Sequence, residues 1–232
     1  MASTQLRQVE TKRLYQHIAD QIRSLIQTGG FPAGGRLPPE RDLAQQLGVS
    51  RPSLREALIA LEIAGAVEIR KGSGVYVCKV PERPSGAIAA MGESPTELMQ
   101  ARAALEGSVI VLAAAHATPV QLAQLRETID AMRAQVKAGR SPLDYDRAFH
   151  LCIAEMSGNS VLARLVGELF DERHSPISSA LSGHSETIQT WGVALEEHEA
   201  IYRALEERDP LAAQSAIRMH LKASEERWIE GS

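Results

Sequence analysis

The feature that most constrains the fold of this chain lies in residues 37–77, where two short helical patterns and a hairpin pattern follow one another. The first helical pattern ends at Gly48, a residue that ends helices readily because it tolerates a left-handed backbone. Ser50 is a good N-cap for the second, longer helix. Apolar and polar residues then alternate over 67–77 on both sides of a glycine-containing turn at 71–74. This order predicts a winged helix-turn-helix.

Arginine positions in this segment indicate its partner. Arg51 and Arg55 lie four residues apart, so they share one face at the start of the second helix. Recognition helices contact bases through their N-terminal residues, and arginine suits guanine. A basic, glycine-containing hairpin tip can approach a phosphate backbone or a minor groove. The segment therefore favours duplex nucleic acid as its partner, and the alternative is a small helical domain with a solvated hairpin.

Charge divides the chain in the same place. Up to Lys79 there are 11 Lys and Arg against 7 Asp and Glu, whereas the remainder holds 14 against 22. A basic half beside an acidic half fits a regulator that reads nucleic acid with one domain. It does not fit a protein that coats nucleic acid along its whole length.

Beyond the hairpin the sequence predicts helices only. Residues 80–93 contain two prolines and two glycines and are the expected linker. Six amphipathic helices follow, several opened by a capping residue and proline, as at Ser94-Pro95 and Asp209-Pro210. The fourth should run from 160 to 181 with a bend at Ser175-Pro176. The prediction is a mainly α chain: a winged helix-turn-helix domain of three helices and a hairpin (1–79), a linker (80–93), and an all-α antiparallel bundle (94–232).

Composition bounds the setting. Only Cys78 and Cys152 are present, far apart and without ligand-like spacing, which favours a reducing cytoplasm. The N-terminus has no apolar signal core, and the apolar run at 109–115 is too short for a membrane span. We therefore expect a cytoplasmic protein without a membrane partner.

Four residues of the bundle could carry chemistry. Asp146 and His150 are four apart on one helical face, and His198 and His220 each lie eleven residues from Asp209. If the last two helices are antiparallel, both imidazoles stand at one height, roughly 16 Å from the turn at about 1.5 Å per residue. A carboxylate with three imidazoles suits a first-row metal, zinc by default, with nickel and manganese as alternatives. Spacing alone also allows ordinary surface or core histidines.

The first part of the chain resembles a known family. Residues 12–78, through LPPERDLAQQLGVSRPSLREAL and GSGVYV, are similar to the N-terminal domain of the GntR family of bacterial transcription regulators. The resemblance implies that the matching arginines and wing tip contact operator DNA, and that two serines contact phosphates or bases. These residues are Arg41, Arg51, Arg55, Lys71, Gly72, Ser50 and Ser53.

The bundle resembles the FadR-type C-terminal effector domain (FCD). In its metal-binding branch a D-x3-H pattern precedes two single histidines, and DYDRAFHLCIAEMSGN, LEEHEAIYRALEERD and IRMHL match those segments. The resemblance implies a metal on Asp146, His150, His198 and His220.

The segment ARAALEGSVIVLAAAHAT resembles the first effector-domain helix, in which the arginine matching Arg102 reaches a ligand carboxylate. The alternative partner of Arg102 is Glu106, in a plain surface pair. Further ligand candidates are Arg147, Asn159, Ser178 and Trp191.

Together these features predict a homodimeric, ligand-responsive regulator, preferably a repressor, on a palindromic operator. The segments RLYQHIADQIRSLI, ALEIAGAVEIR and FDERHSPISSAL are similar to hexuronate and sugar-acid regulators. We therefore expect a hexuronate or aldonate as effector, ahead of lactate, pyruvate, a dicarboxylate or an amino acid. Two alternatives stay open: a metalloenzyme with water at an open metal position, and a metal that only clamps the bundle. Since no general base stands in a motif context, we expect no enzyme activity.

Overall fold

The computed structural model of the chain describes residues 13–79 and 90–230. These residues form two compact units, which divide between Met91 and Gly92. Most of the expected linker, residues 80–89, lies outside the described residues.

The N-terminal unit is the predicted winged helix-turn-helix. Its elements are α1 (Leu14–Gln27), α2 (Glu40–Leu47), α3 (Arg51–Ile63), β1 (Val67–Arg70) and β2 (Gly74–Val77). α1 and α2 pack on α3, and the two strands pair antiparallel with Val67 opposite Val77. The segment at 34–37 runs along the free edge of β2, where Leu37 N donates to Val75 O at 2.8 Å. The wing therefore rests on a third extended segment.

Local chemistry sets the geometry of the helix-turn-helix. Gly48 ends α2 with φ of 66°, a left-handed conformation that suits glycine. Ser50 caps α3, because its Oγ accepts a hydrogen bond from Ser53 N at 3.2 Å. At the other end of α3, Glu62 Oε1 accepts from Ile69 N at 2.7 Å. The wing is thereby fixed to the helix that it follows.

The C-terminal unit is all-helical, as predicted. It comprises α4 (Pro95–His116), α5 (Pro119–Lys137), α6 (Leu143–Met156), α7 (Ser160–Asp171), α8 (Pro176–Ser185), α9 (Ile188–Glu206) and α10 (Pro210–Glu230). The single bent helix predicted from 160 to 181 is wrong, since α7 ends at Asp171 and a short 3-10 turn precedes α8. Ser175 is extended (φ −59°, ψ 151°), because a residue before proline avoids the helical conformation. The described residues thus contain seven α-helices after the wing.

α4 is the central helix of the bundle. It packs against α6, α7, α9 and α10. Among residues 13–79 and 90–230 it alone is long and apolar enough to cross a bilayer. Half of its apolar 18-residue stretch, however, is buried inside the protein. α4 also carries the buried ion pair Arg102–Glu106. These are the properties of a core helix.

Candidate functional site

Three helices bring the four metal-ligand candidates together. Asp146 and His150 lie on α6, His198 on α9 and His220 on α10, and each offers a ligand atom within 4.8 Å of the others. All four side chains are buried. The ring centroids of His198 and His220 are 4.4 Å apart, as their equal distance from Asp209 predicts. We call these four residues the Asp/His cluster.

Antiparallel packing of α9 and α10 produces this meeting. The turn between them ends at Asp209, whose Oδ1 accepts from Leu211 N and Ala212 N at 3.0 Å and so caps α10. Because both helices leave this turn side by side, residues at equal distances from it come level. Phe149 packs edge-on against His198, with centroids 4.5 Å apart, and closes that side.

Several polar atoms of the cluster lack a hydrogen-bond partner among the described residues. They are Asp146 Oδ1, His150 Nε2 and both ring nitrogens of His198. His198 Nε2 lies 3.0 Å from Asp146 Oδ1, but the two atoms are not aligned for a hydrogen bond. A buried polar atom left unpaired costs about 1–3 kcal/mol. A divalent cation held here would satisfy Asp146 Oδ1, His150 Nε2 and one ring nitrogen of His198, so the donor set fits a metal.

Carboxylates orient two of the imidazoles from outside. His150 Nδ1 donates to Glu106 Oε2 at 2.5 Å, and Glu106 Oε1 accepts from Arg102 Nε at 2.7 Å. His220 Nδ1 donates to Glu197 Oε2 at 2.7 Å. Each bond leaves the Nε2 lone pair of its imidazole available to the cluster. A carboxylate behind a ligand histidine is the usual support of a protein metal site.

Burial and neighbouring charges set the protonation of the cluster. Burial alone would raise the pKa of Asp146, but the imidazoles of His198 and His150 hold that pKa far below its usual range. Burial would also raise the pKa of Glu106, but the Arg102 guanidinium and the hydrogen bond from His150 instead lower that pKa to about 2. Burial lowers the pKa of His220 to about 3. Ionised carboxylates and a neutral imidazole are the states that bind metal.

Arg102 lies behind the cluster. Its side chain is 1% exposed, and its guanidinium sits over the Phe170 ring, 4.6 Å from the centroid. The pair with Glu106 is therefore buried and is not the surface pair that the sequence left open. Arg102 Nη2 has no partner among the described residues, and Arg102 does not line the cavity beside the cluster. Its position supports a role in orienting His150 through Glu106.

A cavity of about 30 Å³, partly open to solvent, adjoins the Asp/His cluster. Arg173 points into it from the 3-10 turn, with Nη1 3.5 Å from Asp146 Oδ2 and Nη2 2.6 Å from Glu186 Oε1. Arg173 lies in the segment FDERHSPISSAL, but no spacing in the sequence marks it as a ligand-binding residue. The cavity combines cations, hydroxyls and aromatic faces, and its walls include Arg173, Glu186, Ser185, Thr190, Trp191, Ser224, Arg227 and Trp228.

Of the four further ligand candidates, only Trp191 is among the residues that line the cavity. Asn159 does not line the cavity, and its Oδ1 accepts from two amide N–H groups at the start of α7 and so caps that helix. Arg147 forms a two-pronged pair with Asp171 at 2.6 and 2.8 Å, in an exposed position. Ser178 is fully buried and accepts from Ser175. Trp191 does line the cavity.

Most of the residues predicted to contact DNA are exposed on the N-terminal unit. Exposed positions are Arg41, Ser50, Arg51, Lys71 and Gly72, and Ser53 is half-buried. Gly72 has φ of 70° at the wing tip, a left-handed conformation that glycine adopts without steric cost. Arg36 is a further exposed cation, and a Cβ at Gly74 would lie 2.6 Å from Arg36 Nε. The Arg36 guanidinium therefore lies beside Gly74 of the wing.

Arg55 departs from the expected surface position. Its side chain is 7% exposed, and Nη1 lies 3.8 Å from Glu40 Oε2. Leu54, Ala57 and Leu58 around it are also buried, so the guanidinium stands at the junction of α2 and α3. In this arrangement Arg55 joins the two helices of the motif.

Comparison with known proteins agrees with both units. Residues 14–77 match the family described as bacterial regulatory proteins, gntR family, and residues 97–223 match the FCD domain. The Exu regulon transcriptional regulator of Escherichia coli K12 is 34% identical over 220 residues, covering 92% of this chain and 83% of the relative. The Uxu operon regulator of Haemophilus influenzae is 32% identical over 216 residues, covering 90% and 80%.

A solved structure, a GntR protein of Streptococcus agalactiae, matches with a TM-score of 0.50 and 29% identity, over 91% of this chain and 98% of that one. The family and its relatives are transcription regulators and not enzymes, which confirms the expectation that the chain is no enzyme. The chain belongs to the GntR family of bacterial regulatory proteins, as a DNA-binding transcription regulator with a C-terminal FCD domain.

Proposed function

We propose that the C-terminal unit binds a divalent metal and a small organic acid, and that acid binding controls operator affinity. The observation that carries this proposal is the convergence of one carboxylate and three imidazoles beside a cavity that Asp146, His220 and Arg173 line. Zinc suits this donor set best, with nickel and manganese as alternatives. Bound there, the metal would supply a Lewis-acid centre for an oxygen of the acid.

A sugar acid such as a hexuronate or aldonate is the proposed effector class. Arg173 can pair with a carboxylate, while the hydroxyls of Thr190 and Ser224 offer both donors and acceptors. Trp191 and Trp228 offer apolar faces for carbon-bound hydrogens. Two relatives are named as regulators of the Exu regulon and of the Uxu operon, and the sequence resembles hexuronate regulators.

The proposed control of operator binding requires two copies of the chain and two arrangements of the dimer. We propose a homodimer that places α3 and the wing of each copy in one half-site of a palindromic operator, in the cytoplasm. The acid can change operator affinity only by binding one arrangement of the dimer more tightly than the other. We expect a repressor that the acid releases.

A ligand panel tests the proposal. Purified protein with and without zinc is heated with galacturonate, glucuronate and gluconate, and with lactate, pyruvate, malate and an amino acid. A zinc-dependent rise of Tm with one sugar acid, and release of fluorescent operator by that acid, would support it. A response to another carboxylate alone would reassign the effector. If the protein keeps its metal but its Tm and operator binding respond to none of the acids, the metal only stabilises the helical bundle.

A further inference from the structure

Two recesses in the C-terminal unit share a wall. The inner cavity is the space of about 30 Å³ beside the Asp/His cluster. The outer pocket, of about 380 Å³, opens to solvent between the start of α6, the end of α8 and the start of α9. Glu186 and Trp191 line both recesses and stand between them. The remaining walls of the outer pocket are Ser141, Leu143, Ser179, Ser182, Gly183, Thr187 and Ile188.

The inner cavity is too small for an organic acid and must enlarge if one is to reach the cluster. The inner cavity has room for about two water molecules, since one needs roughly 10–15 Å³ of such volume. A six-carbon acid does not fit there. The outer pocket has the size typical of small-molecule sites, on the order of 300–1,000 Å³. Displacement of the shared wall is the change that would join the two spaces.

Glu186 closes the wall through two hydrogen bonds. Its Oε1 accepts from Arg173 Nη2 at 2.6 Å and from Trp228 Nε1 at 3.1 Å. Arg173 in turn lies over the Trp228 ring, 4.8 Å from the centroid. Glu186 follows the last residue of α8 and precedes Thr187, the N-cap of α9, so it occupies a joint between two helices.

Glu186 contacts Arg173 through a carboxylate, and an organic acid would also contact Arg173 through a carboxylate. Arg173 is 7% exposed and has two carboxylate neighbours, Asp146 and Glu186. Asp146 belongs to the cluster, whereas Glu186 comes from the joint and can leave by a change of that joint. Burial raises the pKa of Glu186, so the protein holds this carboxylate less favourably than water would.

We infer that Glu186 is a built-in substitute for the effector: its carboxylate occupies Arg173 and closes the passage from the outer pocket, and the incoming acid displaces it. This inference rests on the proposed function for the identity of the acid. Displacement would release Trp228 near the end of α10 and free the joint between α8 and α9. The exchange would thereby convert acid binding into movement of helix ends.

Tryptophan fluorescence tests, without any effector, whether Glu186 closes the passage between the two recesses. We call this closure the gate. The chain has two tryptophans, Trp191 and Trp228, and both line the inner cavity. In the full-length zinc-loaded protein, Glu186→Gln should raise the acrylamide quenching constant, because the amide cannot hold Arg173 as the carboxylate does. The matched control is Glu168→Gln, which removes the charge of an exposed partner of Arg164. An unchanged quenching constant in Glu186→Gln overturns the gate.

Affinity tests the competition. With whichever of galacturonate, glucuronate or gluconate binds the wild type, Glu186→Gln should bind about tenfold more tightly by calorimetry, equivalent to about 1.4 kcal/mol. Equal or weaker binding with intact metal content overturns the substitution of one carboxylate for another. If none of these acids binds either protein, the proposed effector class is wrong, and the quenching result still decides whether Glu186 closes the cavity.

Discussion

Glu106 on α4 accepts a hydrogen bond at 2.5 Å from Nδ1 of His150 on α6, a residue 44 positions further along the chain. This bond ties the central helix of the bundle to the metal-ligand candidates. It also fixes the ring so that Nε2 faces the Asp/His cluster. Arg102 holds the other oxygen of the same carboxylate, so the orientation of His150 depends on a residue that does not touch the cluster.

Arg102→Ala should destabilise the protein and weaken metal binding. Removing one partner of a buried ion pair costs about 3–5 kcal/mol, because the other charge is left uncompensated. Loss of the support behind His150 should lower metal affinity about 10- to 100-fold. Urea unfolding and zinc titration against a chelator measure both.

The double variant Arg102→Met with Glu106→Gln is the control for Arg102, since it removes both buried charges and should recover much of the lost stability. If Arg102→Ala keeps its Tm and its metal but no longer binds the acid, Arg102 contacts the ligand directly. That outcome would reject the positioning role and favour the role implied by the family resemblance.

Replacement of a cluster histidine should remove the metal. His198→Ala and His220→Ala each delete one of four donors, and elemental analysis of the purified proteins should show little bound metal. The matched control is His174→Ala, which removes an exposed imidazole. Full metal content in both cluster variants would exclude the four-residue site.

Metal removal should lower the melting temperature of the wild type. A ligand that binds only the folded state stabilises it by about 2.7 kcal/mol at a free concentration one hundred times its Kd. Dialysis against a chelator should therefore reduce Tm, and added zinc should restore it. The His220→Ala protein should show neither change. A chelator-insensitive wild type would contradict the account.

Arg51→Ala and Lys71→Ala should weaken operator binding while leaving Tm nearly unchanged, because both side chains are exposed. Lys71→Ala should also reduce the slope of log affinity against log salt by about one. Arg164→Ala, an exposed arginine of the C-terminal unit, is the control. Fluorescence anisotropy over a salt series measures both quantities, and normal affinity in both variants would reject this surface.

Arg55→Ala should behave differently from Arg51→Ala. Since Arg55 is buried beside Glu40, its loss should lower Tm as well as operator affinity. A drop in operator affinity at unchanged Tm would show that Arg55 turns outward on DNA.

Local signals account for what the sequence predicted correctly. Gly48, Ser50 and the alternation of 67–77 act on their own neighbours, so the winged helix-turn-helix follows from short windows. The meeting of His198 and His220 was predictable because a tight turn fixes the register of α9 against α10.

Contacts between distant segments account for what the sequence did not predict. Arg173 lies in a turn without periodicity, and Glu197 and Glu186 acquire their roles only through packing against α10. Asn159 shows why a ligand role is hard to assign from the sequence, because its Oδ1 caps the start of α7.

X-ray absorption at the zinc edge of the loaded protein tests whether Asp146, His150, His198 and His220 together hold the metal. Such a site should give scattering from three imidazoles, with nitrogen and oxygen neighbours at about 2.0–2.2 Å, and from one fewer imidazole if any metal remains in His198→Ala. Sulfur neighbours at about 2.3 Å, or a spectrum without imidazole scattering, would contradict it.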